Sequence, residues 1–293
     1  MGIRIRTMLV IGVLGILSIS AIGFMSYRLS MKNVMEEASI KSNIILNYAM
    51  ASRKYMKQVQ KPLVRQIVAE DRFYPELMSG FVTARGTYEL FHDSFPDYIF
   101  KQATLDPLNP KNKADQTEMD IIDKFKDNSD KKEDSGIVQR DGKEVYYIAQ
   151  PIKVDKASCL TCHGDPSIAP KDQIDIYGTE TGYNWKMNDT VAAFIVYVPL
   201  QAALEVAKDN AISLILFAGI GVLVMLAIVW LFLDRTVVSP ILHLTQVTED
   251  LSLGKNLEQP LEYTTRTEIG TLGNSIERLR KSLVILFKKL AKK

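Results

Sequence analysis

Two stretches of this chain carry no charged side chain, and they limit what it can fold into more than any other feature. The first runs from Thr7 to Tyr27 and the second from Asn210 to Leu233, 21 and 24 residues long. At about 1.5 Å of rise per residue, either is long enough as a helix to cross a hydrocarbon core of ~30 Å. A cleaved signal peptide has a shorter apolar core, about 7–15 residues. Arg4 and Arg6 precede the first run, which sets the N-terminus in the cytoplasm by the positive-inside rule. The expected order is a cytoplasmic N-terminus (1–6), a first span (7–27), an extracytoplasmic segment (28–209), a second span (210–233), a cytoplasmic module (234–285) and a short tail (286–293).

The outer segment contains Cys159-Leu160-Thr161-Cys162-His163, and these two cysteines are the only ones in the chain. Cys-x-x-Cys-His is the attachment signature of haem c. Each thiol can add to one porphyrin vinyl group, and His163 is then the proximal iron ligand. A four-thiolate zinc or iron–sulfur site is excluded by count. The other reading of the pair is a plain or redox-active disulfide. For the distal position, His92 reads as a surface histidine. Met50 and Met56 lie on the long helix of the outer segment; Met56, at the margin of its apolar stripe, is the better distal candidate of the two, and an open or water-filled sixth position is the alternative. Lys+Arg 36 against Asp+Glu 34 gives no argument for nucleic acid as a partner.

Residues 30–70 read as one long helix with an apolar stripe at Ile40, Ile44, Tyr48, Ala51, Tyr55 and Val59, interrupted at Pro62. A shorter helix is expected over Pro75–Phe91. A turn-rich loop follows at Leu105–Asp115, and Asp115 with Glu118 forms a capping box for the next helix, whose inner face is Met119, Ile122 and Phe125. Asp127–Ser135 reads as a solvated loop. Gly136–Val138 and Lys143–Ile148 form a hairpin about an Asp141-Gly142 turn. Ala192–Val198 is a strand leading through Gln201–Asp209 into the second span. Tyr146, Tyr147, Tyr177, Tyr183 and Trp185 are core residues or pocket walls. The fold class is α+β, a long helix plus an antiparallel sheet.

Beyond the second span, Ile269, Leu272, Ile276, Leu279, Leu283, Leu286 and Leu290 repeat at 3-4 spacing as a heptad seam. Val237, Ile241, Leu244, Thr248 and Leu251 form a shorter one. Two such helices cannot bury both seams alone; a homodimeric four-helix bundle can. This tail resembles a HAMP signalling module through Pro240, Gly254, Leu257, Leu261 and Glu268-Ile269-Gly270, with Thr267 where an acidic residue usually stands. The outer segment resembles PAS-like sensor domains that carry covalent haem c in bacterial membrane receptors and histidine kinases. The matching residues are Phe95-Pro96-Asp97-Tyr98, Asn109-Pro110, Asn112, Ala114-Asp115, Cys159 to Pro166, Ala169-Pro170, Tyr177-Gly178, Gly182 and Trp185. Asn188 stands where such domains often carry glycine.

Together these imply a two-pass receptor in the bacterial inner membrane with a periplasmic sensor and one haem c per chain. It would sense redox state or a gas and relay the signal through the HAMP dimer. No phosphoacceptor box follows the heptads, so the chain is expected to transmit rather than catalyse, with a separate kinase or chemoreceptor as output. The alternative from another class is a membrane-anchored monohaem cytochrome.

Overall fold

The structure, a computed structural model, describes residues 2–261 and 267–290. It divides into two compact units, Met1–Ser26 with Asn210–Lys293, and Tyr27–Asp209.

The first helix is longer than its apolar run: α1 spans Ile3–Tyr55 without a break. A five-residue π turn, Met56–Gln60, then passes into α2 (Lys61–Ile67), with Pro62 in its first turn. Proline has no N–H and its ring presses on the carbonyl four residues earlier. The π turn places the awkward hydrogen bond across five residues instead, Lys61 N–H donating to the Met56 carbonyl. The expected helix over Pro75–Phe91 is split into α3 (Pro75–Met78) and α4 (Gly80–Ser94). Ser79 makes the split, its hydroxyl accepting from Val82 N–H at 3.5 Å as the cap of α4.

Strand β1 (Ile99–Thr104) precedes α5 (Gln116–Asp127), which opens on the expected capping box. Glu118 N–H donates to Asp115 at 2.9 Å, and Asp115 N–H donates back to Glu118 at 3.0 Å. Strands β2 (Asp134–Arg140) and β3 (Lys143–Lys153) form the hairpin, with Asp141 and Gly142 both at positive φ. The helices α6 (Ala157–His163) and α7 (Lys171–Tyr177) follow, and then β4 (Thr190–Pro199). The sheet is antiparallel in the order β1-β4-β3-β2. Both edges of β4 are paired, and both of its faces are covered, by α1 and α4 on one side and α5 on the other. Phe194, Val196 and Val198 join α1 and α4 on one side. Ala193, Ile195 and Tyr197 join Ile121, Ile122 and Phe125 of α5 on the other. That explains why β4 reads as an unbroken apolar run rather than an alternation.

The face of α1 that meets the sheet is not the stripe the periodicity suggests. Val34, Ala38, Ser42, Leu46 and Ala49 are buried, whereas Ile44 and Tyr48 are 63% and 67% exposed. Small residues win this face because they let the helix backbone approach the sheet, and the Ser42 hydroxyl is satisfied by the Ala38 carbonyl at 2.7 Å. Ile40, Ile44, Tyr48 and Tyr55 are left outside.

In the other unit, α8 (Gln201–Leu233) contains the second apolar run. α1 and α8 are each long and apolar enough to cross a membrane. They approach closely at two glycines. A Cβ on Gly15 would come 2.8 Å from Val222, and one on Gly23 would come 3.1 Å from Ile215. Arg4 and Asp234, which flank the two runs, pair at 2.5 Å. A second π turn, Asp234–Val238, leads into α9 (Ser239–Ser252), and α10 covers Glu268–Leu290. Among the described residues the connector is tied to α10 by an ion pair of Glu258 with Lys288 at 3.8 Å and by two hydrogen bonds. Glu277 accepts from Leu261 N–H at 2.9 Å, and Arg280 donates to the Leu257 carbonyl at 2.5 Å.

Candidate functional site

Cys159, Cys162 and His163 lie on α6, one short helix in the segment between β3 and β4. That segment is pinched at its base, where Val154 N–H donates to the Asp189 carbonyl and Asn188 N–H donates to the Val154 carbonyl. Asn188 has φ +72°, the left-handed conformation that glycine adopts freely and asparagine tolerates. The departure from the family residue there is conformationally conservative.

Three residues apart on a helix, the two cysteines share a face. Both are free thiols and both are partly exposed. Burial holds the Cys162 thiol above its ordinary pKa, so it is protonated near neutral pH. His163 ends the helix, and Gly164 is required after it, because a Cβ there would lie 2.4 Å from the Leu160 carbonyl oxygen. The chain then returns beside its own start. Asn184 N–H donates to the Gly164 carbonyl at 2.8 Å and Trp185 N–H to the His163 carbonyl at 3.0 Å.

The His163 ring is held on two sides. Trp185 stacks on it with centroids 3.9 Å apart and planes 3° from parallel. Its Nδ1 is 2.7 Å from the Gly182 carbonyl. A carbonyl only accepts, so Nδ1 carries the proton and Nε2 keeps its lone pair. Burial lowers the pKa, which keeps the ring neutral. Gly182 reaches this position at φ +80°, with its N–H donating to Asp106 at 2.7 Å. A Cβ on it would come 2.6 Å from Leu108. Gln173, 1% exposed, fastens α7 to α6 through the Cys162 carbonyl at 2.6 Å.

Cys159, Cys162, His163 and Trp185 line a cavity of about 830 Å³, bounded also by α1, α4 and the start of β4. Volumes of about 300–1,000 Å³ are usual for cofactor pockets. The donor set suits a covalently attached haem: two thiols on one helical face, and an imidazole whose tautomer leaves Nε2 free for a metal. Among the described residues no group of three or more His, Cys, Asp or Glu forms another metal cluster.

The expected distal residue, Met56, is 4% exposed and is not among the residues lining this cavity; Met50 and Met78 are. His92 lies elsewhere, its Nδ1 3.1 Å from the Tyr88 hydroxyl and 3.2 Å from the Tyr98 carbonyl. Tyr177 and Trp185 line the cavity, whereas Tyr146, Tyr147 and Tyr183 are buried core. Sequence reading missed Arg53, Gln173 and Asp106. Only Arg53 carried a signal, a charge on a helix face that also bears Leu46 and Ala49.

No curated protein matches the chain. The crystal structure of the cyanobacterial haem-protein Tll0287 overlays with a TM-score of 0.39 at 16% identity, covering 53% of this chain and 94% of that one. Residues 233–284 match the HAMP domain profile, so a HAMP domain follows the second apolar helix. Residues 31–199, more than half of the sequence, match the Tll0287-like profile, and the chain belongs to the Tll0287-like family.

Proposed function

We propose that this chain is a membrane-bound signal-transduction receptor whose outer domain, of PAS-like type, carries one covalent haem c and whose HAMP domain relays the state of that haem. The observation that carries the reading is the convergence of Cys159, Cys162 and a His163 with its Nδ1–H committed to Gly182, all at one cavity. Cys159 and Cys162 would hold the thioethers and His163 Nε2 the iron. Bound haem supplies an iron whose oxidation state and sixth position can change. The protein's own part is to orient His163, through Gly182 and Trp185, and to bound the site with α1, α4 and β4.

Relay rests on chain order. β4 ends at Pro199 and α8 begins at Gln201, so a shift of β4 is passed to the helix that enters the second span. A homodimer is supported by α10, where Leu272, Leu279 and Leu286 of the heptad seam are about half exposed in one chain. A second copy would cover them. The exposed Ile44 and Tyr48 of α1 invite the same partner. Membrane insertion with residues 28–209 in the periplasm is the topology the flanking charges favour. Output belongs to a separate kinase or chemoreceptor, and the chain itself transmits rather than catalyses.

The test is optical spectroscopy of the purified full-length protein, expressed with haem-attachment machinery, oxidised and reduced, with and without CO. A c-type haem spectrum is expected, together with altered ligation in His163→Ala. In parallel, Leu279→Cys in a membrane preparation should cross-link at a rate that depends on the haem state. Protein without haem, or cross-linking indifferent to its state, would overturn the reading.

A further inference from the structure

The wall of the cavity contains a cation with no counter-charge. Arg53, in the last turn of α1, is largely removed from water, and its Nε is buried with no hydrogen-bond partner. Its Nη1 lies 3.4 Å from the Met50 thioether sulfur, a weak acceptor. The guanidinium carbon sits 3.9 Å from the centre of the Phe81 ring and 4.4 Å from that of Phe194. Among the described residues no carboxylate pairs with it.

Such an arrangement is costly without a ligand. A desolvated guanidinium is destabilised unless it is paired, and aromatic faces offset only part of that. The same desolvation lowers its pKa to about 10. The position is nevertheless enforced. Gly80 packs so closely on α1 that a Cβ there would meet the Arg53 carbonyl oxygen at 3.0 Å. Gln102 donates to the Phe81 carbonyl at 2.9 Å, which holds the aromatic neighbour in place. The surroundings add to the positive field: the cavity lining carries seven Lys and Arg residues, Lys57, Lys61 and Arg85 among them, against one carboxylate, Asp155.

We propose that Arg53 is the carboxylate-binding residue of this cavity. A planar guanidinium at the wall of a basic cavity, whose Nε has no hydrogen-bond partner, suits a bidentate carboxylate better than a point anion. Two sources share that chemistry: a propionate of the haem, which rests on the reading above, and a free small carboxylate entering the cavity. In either case α1 senses the occupant directly, because Arg53 belongs to the helix that contains the first apolar run.

Two arms of one experiment separate the sources. In the first, haem-loaded full-length protein, verified by pyridine haemochrome, is compared as wild type, Arg53→Leu and Arg53→Lys by resonance Raman spectroscopy of the propionate bending modes. A propionate contact predicts a band that shifts in Arg53→Leu and shifts part-way in Arg53→Lys, which keeps the charge but not the fork. In the second, haem-free Cys159→Ala/Cys162→Ala protein is titrated with acetate, formate and benzoate against chloride at equal ionic strength, with thermal unfolding as readout. A free carboxylate predicts stabilisation that weakens about tenfold or more when Arg53→Leu is added. Arg53→Lys, which preserves the charge, guards against a loss caused by misfolding. Indifference in both arms overturns the proposal and leaves the haem reading standing. A negative haemochrome overturns the haem reading, and the second arm then decides for Arg53 alone.

Discussion

Gly182→Ala is the perturbation that most directly probes the support of His163. Two costs are separable. The first is conformational, since φ is +80° and an alanine in the left-handed region costs ~1–2 kcal/mol. The second is steric, because the new Cβ would lie 2.6 Å from Leu108 Cγ and 2.8 Å from its Cδ2, an overpacking of ~1–3 kcal/mol. Together they predict a loss of ~2–5 kcal/mol. Gly142 supplies the control, with φ +75° and nothing within 4 Å of a Cβ. Gly142→Ala should therefore lose only the conformational part, ~1–2 kcal/mol. Urea-dependent pulse proteolysis of the detergent-solubilised full chain, scored on cleavage within residues 28–209, measures both. Adding Leu108→Ala should show a favourable coupling of ~1 kcal/mol or more with Gly182→Ala and none with Gly142→Ala. Equal losses for the two glycines, with no coupling to Leu108, would refute the claim that close packing against Leu108 fixes the carbonyl that orients His163.

Three further outcomes follow from the same geometry. Glu118, fully buried, meets Lys101 at 2.6 Å, Arg140 at 3.2 Å and the Tyr197 hydroxyl at 3.3 Å, so Glu118→Ala should cost ~3–5 kcal/mol in the same proteolysis assay by leaving part-buried Lys101 without a carboxylate and Arg140 with Asp115 alone. Burial alone would raise the pKa of Asp134, but hydrogen bonds from Lys131, Tyr147 and Lys124 outweigh it and bring it to about 2 from an ordinary 3.8. A depressed carboxylate stabilises the fold above its unfolded pKa and loses that contribution as pH falls through the folded one. Asp134→Asn should therefore flatten the decline in melting temperature between about pH 4 and pH 2. In unit 1, Gly15→Ile should slow disulfide cross-linking of Gly23→Cys with Ile215→Cys, in a Cys159→Ser/Cys162→Ser background, whereas Gly12→Ile, whose Cβ meets nothing within 4 Å, should not.

Part of the sheet was legible from sequence because its signals are local, whereas β1 was not expected and Asp134 and Ser135, read as loop, open β2. The Asp115–Glu118 capping box, the Asp141-Gly142 turn and the β4 run each depend on residues a few positions apart. The face of α1 was not legible. Periodicity reports where large apolar groups recur, but Ala38, Ser42 and Ala49 won the sheet by being small. At the site, Cys159, Cys162 and His163 announce themselves by spelling. Their supports do not: Asp106, 76 residues before Gly182, holds it by a bond no local pattern encodes. Gln173 and Arg53 are ordinary surface-type residues until the fold buries them. Met56 illustrates the limit of the helical wheel, which sets it beside Ala49 but does not show that both are buried and that Met56 does not line the cavity.

Pro62 and Pro240 each follow a five-residue π turn with a single residue between. A π turn admits one residue more than the α-helix needs, so everything beyond it is rotated by about 100° relative to the uninterrupted helix. Each proline thus acts as a phase marker, and the side chains on its two sides obey different reading frames. Lys61 comes to the cavity from the shifted frame, and Lys57 and Gln58 reach it from the π turn itself. Deletion of Val59 or Gln60 alone would re-aim Lys61 by about 100° without changing its identity, and a second deletion would not restore it.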